Sequence, residues 1–169
     1  MSIPDVTHFL NLISAILPEN IWCVGGAFAI DLWCGILNIP LSETMPNNID
    51  ILYARMTPIT PASFGSYKRK QTSPHTSVTY ENPGFTSINL TMSRNNIKYY
   101  EFEGIKLLSP VSLLSWYSDE PELYKDKIDI LKEIISRTTE LKFKYIYSRE
   151  YIQYSQENPA KRRLINTLI

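Results

Sequence analysis

The stretch of sequence that decides the fold spans residues 21–35 and reads IWCVGGAFAIDLWCG. It opens with a short continuous apolar run, Ile21 to Val24, which is typical of a buried strand. Gly25-Gly26 interrupts this run, and the apolar residues 27–34 that follow predict a buried helix that ends at Gly35. A strand, a glycine pair and a helix in this order indicate an α/β or α+β protein.

Further candidate strands and helices surround this unit. Residues 6–17 place five apolar side chains on one helical face, and residues 49–53 form a second apolar strand that contains Asp50. Alternating apolar and polar residues predict additional strands at 77–80, 85–92, 97–102 and 105–108. The expected fold class is therefore α/β (α+β), with a mixed β-sheet flanked by helices.

Proline-rich connections and a helical C-terminal part complete this prediction. Residues 36–47 contain two prolines and indicate a loop, whereas the Pro-, Thr- and Ser-rich residues 55–76 indicate a loop with a short helix near 62–70. Ser109 and Pro110 match the N-cap and the first position of a helix. Further helices are expected over residues 121–135 and 139–154, and from Pro159 onward.

The composition limits the class of protein. The 169 residues are 44% hydrophobic and 20% charged, which is ordinary for a globular domain. Seventeen basic residues balance seventeen acidic ones, so the net charge gives no strong nucleic-acid signal. The basic clusters at 68–70 and 161–163 indicate solvated surface, with phosphate contact as the alternative. The sequence shows neither a signal peptide nor an apolar run long enough to span a bilayer. We therefore expect a cytoplasmic protein with no membrane partner.

Two cysteines, Cys23 and Cys34, lie in apolar stretches. Their spacing matches no zinc or redox motif, so a metal role is disfavoured. Thiols in such surroundings are usually small buried hydrophobes. We therefore expect both to be free and buried.

Three polar features of the framework are candidate functional residues. The Gly25-Gly26 turn lets backbone N–H groups approach a phosphate at a helix N-terminus, although a tight turn is its ordinary interpretation. Asp50 is charged within a strand, which is costly unless the carboxylate is paired, bound to metal or exposed at the strand end. Asp31 lies inside an apolar helix, where it would ordinarily accept hydrogen bonds from a loop. A functional site requires the glycine turn and Asp50 to face one shared cleft.

These segments together resemble a known family. Residues 24–35, the sequence Asn48-Ile49-Asp50-Ile51 and residues 104–130 are similar, in order and spacing, to segments of small lincosamide and aminoglycoside nucleotidyltransferases. That family belongs to the DNA polymerase β-like superfamily. The resemblance implies a nucleotidyltransferase fold over residues 1–136, with residues 137–169 as a C-terminal helical extension packed on the same domain.

The resemblance also implies a chemistry. Family members move a nucleoside monophosphate from a nucleoside triphosphate to a hydroxyl of a small molecule, with two Mg²⁺ ions held by carboxylates. Carried onto this sequence, Gly25, Gly26 and Asp31 would bind the nucleotide. Asn48 and Asp50 would occupy the positions of the metal-binding and catalytic acids.

The sequence departs from the family pattern at two acid positions. Asn48 replaces the first acid, and the third acid position falls on Ser87, with Asn89 as the next candidate. Mg²⁺ prefers anionic oxygen ligands, so one remaining carboxylate suits a single Mg²⁺ brought by a triphosphate better than a pair of ions. Glu101 and Glu103 could compensate, although they lie on a later strand that matches no catalytic segment of the family.

Three functions remain open from the sequence. The favoured one is a nucleotidyltransferase-fold pseudoenzyme that binds a nucleotide or partner, with weak or no transfer activity. The second is an active nucleotidyltransferase with an altered site, acting on a small hydroxylated molecule. The third is a non-enzymatic protein-interaction domain. Four late tyrosines recur near helical spacing and would pack the C-terminal helices, line an acceptor pocket or form a homodimer interface: Tyr145, Tyr147, Tyr151 and Tyr154.

Overall fold

One mixed β-sheet with accompanying helices forms the fold. The computed structural model describes residues 10–15, 17, 21–40, 48–54, 63–64, 67–70, 77–81, 87–93 and 95–148. Within these ranges, nine strands belong to a single sheet and four helices accompany it. The protein is thus of the mixed α+β class, which confirms the predicted fold class at this level.

The strands of the sheet are β1 (Trp22–Gly25), β2 (Asn48–Tyr53), β3 (Ser63–Phe64), β4 (Tyr67–Lys70), β5 (Ser77–Glu81), β6 (Ser87–Met92), β7 (Ile97–Phe102), β8 (Ile105–Leu108) and β9 (Lys144–Ile146). Their order is β3-β4-β5-β6-β2-β1-β8-β7-β9. β2 pairs in parallel with β6, and β1 pairs in parallel with β8. All other neighbours in this order are antiparallel.

The helices are α1, described as helical over residues 10–14, α2 (Gly26–Leu37), α3 (Pro110–Tyr117) and α4 (Lys125–Arg137). α2 follows β1 without an intervening loop. Its Trp33 is fully buried and donates its indole N–H to the carbonyl oxygen of Leu108 at 3.1 Å. The same ring makes edge-on contacts with Tyr100 and Phe102, at centroid distances of 5.3 and 5.2 Å. Trp33 therefore anchors α2 on the apolar face of the sheet.

Alternation along β2 separates a buried face from a polar one. Ile49, Ile51 and Tyr53 are buried, whereas Asn48, Asp50 and Leu52 are only half-buried. Successive side chains of a strand point to opposite faces, so the polar residues share the face opposite the core. This face carries the candidate site.

The predicted end of α2 is wrong by two residues. The helix passes through Gly35 and ends at Leu37. Asn38 takes the left-handed conformation, with φ at 55°, and the N–H of Ile39 donates to the carbonyl oxygen of Cys34 at 2.9 Å. Asparagine tolerates this conformation, so Asn38 ends the helix in the way expected of glycine.

Two predicted helices are wrong, and one begins later than expected. Residues 63–64 and 67–70 form the β3–β4 hairpin instead of a helix near 62–70. β9 occupies part of the helix predicted over 139–154, so the nearby Tyr145 and Tyr147 rings stack at a 20° interplanar angle along an extended segment. α4 begins at Lys125 and not near residue 121.

The remaining predicted elements agree with the structure where it describes them. β5, β6, β7 and β8 lie within one or two residues of their predicted bounds. β9 pairs with β7, so this part of the predicted C-terminal extension belongs to the same sheet. Tyr151, Tyr154, Pro159 and the basic cluster at 161–163 lie outside the described residues. No helix among those described is both long and apolar enough to cross a membrane.

Candidate functional site

The glycine turn and Asp50 lie against each other. Gly25 and Asp50 are register partners of the antiparallel pair β1–β2. Gly26 begins α2 with φ at +61°, and a Cβ placed on it would overlap Asp50 Oδ2 and lie 2.9 Å from Asp50 Cβ and Cγ. Only glycine leaves room for this carboxylate beside the first residue of the helix. The two features that the sequence singled out therefore share one location.

A chain of hydrogen bonds across three strands fixes the Asp50 carboxylate. Asn89, the register partner of Asp50 on β6, donates its Nδ2–H to Asp50 Oδ1 at 3.0 Å. Thr79, the register partner of Asn89 on β5, donates its hydroxyl to Asn89 Oδ1 at 2.9 Å. Because an ionised carboxylate can only accept, this orientation of the amide gives a donor to Asp50 Oδ1 and another to Asn89 Oδ1.

Burial sets the electrostatics of Asp50. Loss of water around the half-buried carboxyl raises its pKa above the ordinary value, and the hydrogen bond from Asn89 offsets part of that rise. The N-terminus of α2 carries partial positive charge and favours the ionised form. The half-buried carboxylate therefore keeps an electrostatic cost that a positively charged ligand would lower.

Helix α3 places two aromatic residues beside this carboxyl. The helix starts as predicted, with Pro110 at its first position and buried Ser109 accepting a hydrogen bond from the Ser112 N–H at 3.1 Å. At its other end, Tyr117 is buried and its pKa is raised to about 12, first by burial and then by the negative charge of Asp50. Its phenol therefore stays protonated at neutral pH.

Trp116 completes this side of the site. A Cβ placed on Gly25 would lie 3.3 Å from Trp116 Cζ3, so the indole edge packs on the backbone of the glycine turn. The side chain is 40% exposed. Its ring lies nearly parallel to that of Tyr117, with a 13° interplanar angle and centroids 6.2 Å apart.

The other predicted site residues lie around this centre. Asn48 and Ser87 are register partners of the parallel pair β2–β6. They lie two residues before Asp50 and Asn89, on the same face of the sheet, and both are half-buried. Asp31 lies one and a half turns into α2, where burial raises its pKa and the positive charge of Lys127 lowers it. The negative charge of Asp31, like that of Asp50, raises the pKa of Tyr117.

Asp50 and Asn48 are the oxygen donors of β2 that could contact a cation on this face. Asp50 offers a carboxylate and Asn48 a neutral carbonyl oxygen, but Asn89 turns its N–H towards Asp50 and its oxygen towards Thr79. No group of three or more His, Cys, Asp or Glu side chains able to hold a metal ion occurs within the described ranges. A second Mg²⁺ would have too little negative charge around it.

Glu101 and Glu103 lie away from Asp50. β1 and β8 separate β7 from β2, which places Glu101 about 14 Å from β2 at ordinary strand spacing. Both glutamates line a different cavity of about 620 Å³, together with Trp22 and Lys106. The Trp22 indole N–H is buried there with no hydrogen-bond partner among the residues that the structure describes. This cavity lies at the start of β1, whereas Gly25 ends that strand.

The sequence missed three contributors to the site: Thr79, Trp116 and Tyr117. Thr79 carried no signal beyond the alternation of its strand. The capping signal at Ser109 locates the start of α3, which ends eight residues later at Tyr117. No local pattern indicates which parts of the fold the C-terminal end of α3 contacts. Both cysteines are buried free thiols, as predicted, and burial raises the pKa of each.

Comparisons of the chain with protein-family models, with curated proteins and with solved structures returned no match. The geometry of the described residues therefore has to support any function by itself.

Proposed function

We propose that this chain is a nucleotidyltransferase-fold protein that binds a nucleoside triphosphate between the Gly25-Gly26 turn and Asp50, with weak or no transfer activity. The observation that carries the proposal is the contact of Asp50 with the first residue of α2, combined with the Asn89 amide on its other side.

The phosphates are assigned to the N-terminus of α2. The first backbone N–H groups of a helix have no partner within the helix, and their dipoles favour an anion. Gly25, the N-cap residue, provides no side-chain cap for these groups.

A single divalent cation would connect these phosphates to Asp50. When bound, Mg²⁺ would supply the positive charge that lets a carboxylate and a polyphosphate lie side by side. Asp50 and the Asn48 carbonyl are the residues of this chain that would hold it. Asn89 keeps Asp50 oriented, and its neutral amide replaces the negative charge that a second metal ion requires.

Calorimetric titration with ATP, with and without Mg²⁺, tests this proposal. We expect binding that strengthens when Mg²⁺ is present, together with no release of inorganic pyrophosphate above background. Release of pyrophosphate with a hydroxylated acceptor would favour the active enzyme instead. A lack of ATP binding under both conditions would contradict the proposal and leave the protein-interaction domain as the better alternative.

Restoring carboxylates tests the metal argument separately. Asn89→Asp places a second carboxyl about 3 Å from Asp50 and is expected to raise Mn²⁺ affinity about tenfold or more, whereas the matched Asn89→Ala variant is not. The double variant Asn48→Asp with Ser87→Asp adds acids in the neighbouring row and should also gain affinity. Unchanged Mn²⁺ binding in all variants would count against a cation position at Asp50.

A further inference from the structure

We propose that Trp116 is the platform on which the base of the bound nucleotide stacks, so that the site takes nucleoside triphosphates in preference to bare polyphosphate. This inference rests on the proposed function, because it places the phosphates at the N-terminus of α2. It assigns the base to the exposed indole of α3.

The position of Trp116 supports this assignment. Its Cζ3 edge packs on the backbone of Gly25, at the turn to which the phosphates are assigned. Trp116 is 40% exposed, so part of its indole surface is accessible to solvent. Leu123, another large apolar residue that is 68% exposed, is not among the nearest neighbours of a Cβ placed on Gly25 or Gly26. Trp116 therefore combines an exposed aromatic surface with a fixed place beside the candidate phosphate site.

The surroundings of Trp116 hold the ring still. It lies nearly parallel to Tyr117, which packs edge-on against Tyr124 at a centroid distance of 4.9 Å. Lys127 Nζ lies 5.7 Å from the centroid of the Tyr117 ring. A ring packed against neighbours loses less conformational entropy than a free ring when a ligand stacks on it, which favours binding.

Stacking defines the class of ligand. Every nucleobase has a π face, so an aromatic platform accepts all four bases with modest preference. The proposed contact uses the face of the base and not its hydrogen-bonding edge. We therefore expect ATP, GTP, CTP and UTP to bind within a few-fold of one another, and each more tightly than inorganic tripolyphosphate.

The test compares ATP with inorganic tripolyphosphate, both with Mg²⁺, on the unaltered 169-residue chain and three variants. Trp116→Ala should weaken ATP binding about tenfold, within the range of about 5- to 150-fold typical of base–aromatic stacking. Tripolyphosphate binding should not change. Trp116→Phe should retain most of the ATP affinity, and Leu123→Ala, which alters an exposed apolar residue elsewhere, should retain all of it.

The outcomes distinguish a failure of this inference from a failure of the proposed function. If neither ligand binds the unaltered protein, the proposed function fails and the inference fails with it. If both bind equally and Trp116→Ala changes neither affinity, the phosphate site stands and the stacking platform is wrong. Equal weakening of both ligands by Trp116→Ala would also overturn the inference, because it would mean that the indole only supports the turn.

Discussion

Replacement of Gly26 by alanine directly perturbs the contact between α2 and Asp50. The residue has φ at +61°, where an alanine costs about 1–2 kcal/mol. The new methyl would also overlap Asp50 Oδ2 and lie 2.9 Å from Asp50 Cγ, and overpacking of this kind costs about 1–3 kcal/mol. The free energy of unfolding should therefore fall by about 2–5 kcal/mol, which corresponds to a decrease in Tm of roughly 4–20 °C in a chain of this length.

Gly104 provides the matched control. Its φ is +81°, but a Cβ placed on it would meet no atom within 4 Å. Gly104→Ala should therefore cost only the backbone part, about 1–2 kcal/mol. Urea unfolding followed by circular dichroism measures both variants under the same conditions.

A double-mutant cycle with Asp50→Ala identifies the source of the additional loss. That variant removes the carboxyl atoms that the new methyl would meet, although Asp50 Cβ remains 2.9 Å away. Gly26→Ala should then cost less than it does when Asp50 is present. Equal losses for Gly26→Ala and Gly104→Ala, or strict additivity with Asp50→Ala, would refute the proposed contact.

Three further predictions concern the elements around the site. Ser109→Ala removes the cap that accepts the Ser112 N–H and should lower the free energy of unfolding by about 1 kcal/mol in urea titrations; no change would mean that water replaces the cap. The pKa of Tyr117 is raised from 10 to about 12 in the folded protein, so the phenol proton is lost from the unfolded state at lower pH. The free energy of unfolding should therefore fall between pH 10 and 12, by up to about 1.4 kcal/mol per pH unit. Tyr117→Phe should lack this part of the decline, and identical pH profiles for the two proteins would contradict it. Thr79→Val removes the donor to Asn89 and should cost about 0.5–1.5 kcal/mol, whereas Thr79→Ser should cost less; the reverse order would exclude the hydrogen bond.

The elements with strong local signals were predictable from the sequence. Ser109 and Pro110 specify the start of a helix by capping chemistry alone. Buried and half-buried residues alternate along β2 and along most of β6, because one face of each strand packs in the core. Strands at the two edges of the sheet, where β3 and β9 lie, replace the helix predicted near 62–70 and the described part of the helix predicted over 139–154. Strands at such positions depend on their partner strands more than on their own pattern.

The candidate site was predictable only in part. The contact between the glycine turn and Asp50 follows from the short antiparallel pair β1–β2, which joins neighbouring parts of the chain. The role of Asn89 depends on the parallel pairing of β2 with β6, and no local pattern specifies the register of strands so far apart. Trp116 reaches the turn through the packing of α3, which is a tertiary effect.

The hydrogen bond between Asn89 and Asp50 also has a consequence for folding fidelity. It joins two residues 39 positions apart on strands that pair in parallel. A slip of β6 by a single residue would turn Asn89 into the apolar interior and expose Ile88 to water. Both changes would lower the stability of the slipped form. The amide and the carboxylate thus mark the correct alignment of the two strands, and a variant that loses either one should show more misaligned or aggregated chains on refolding, even where its native state is intact.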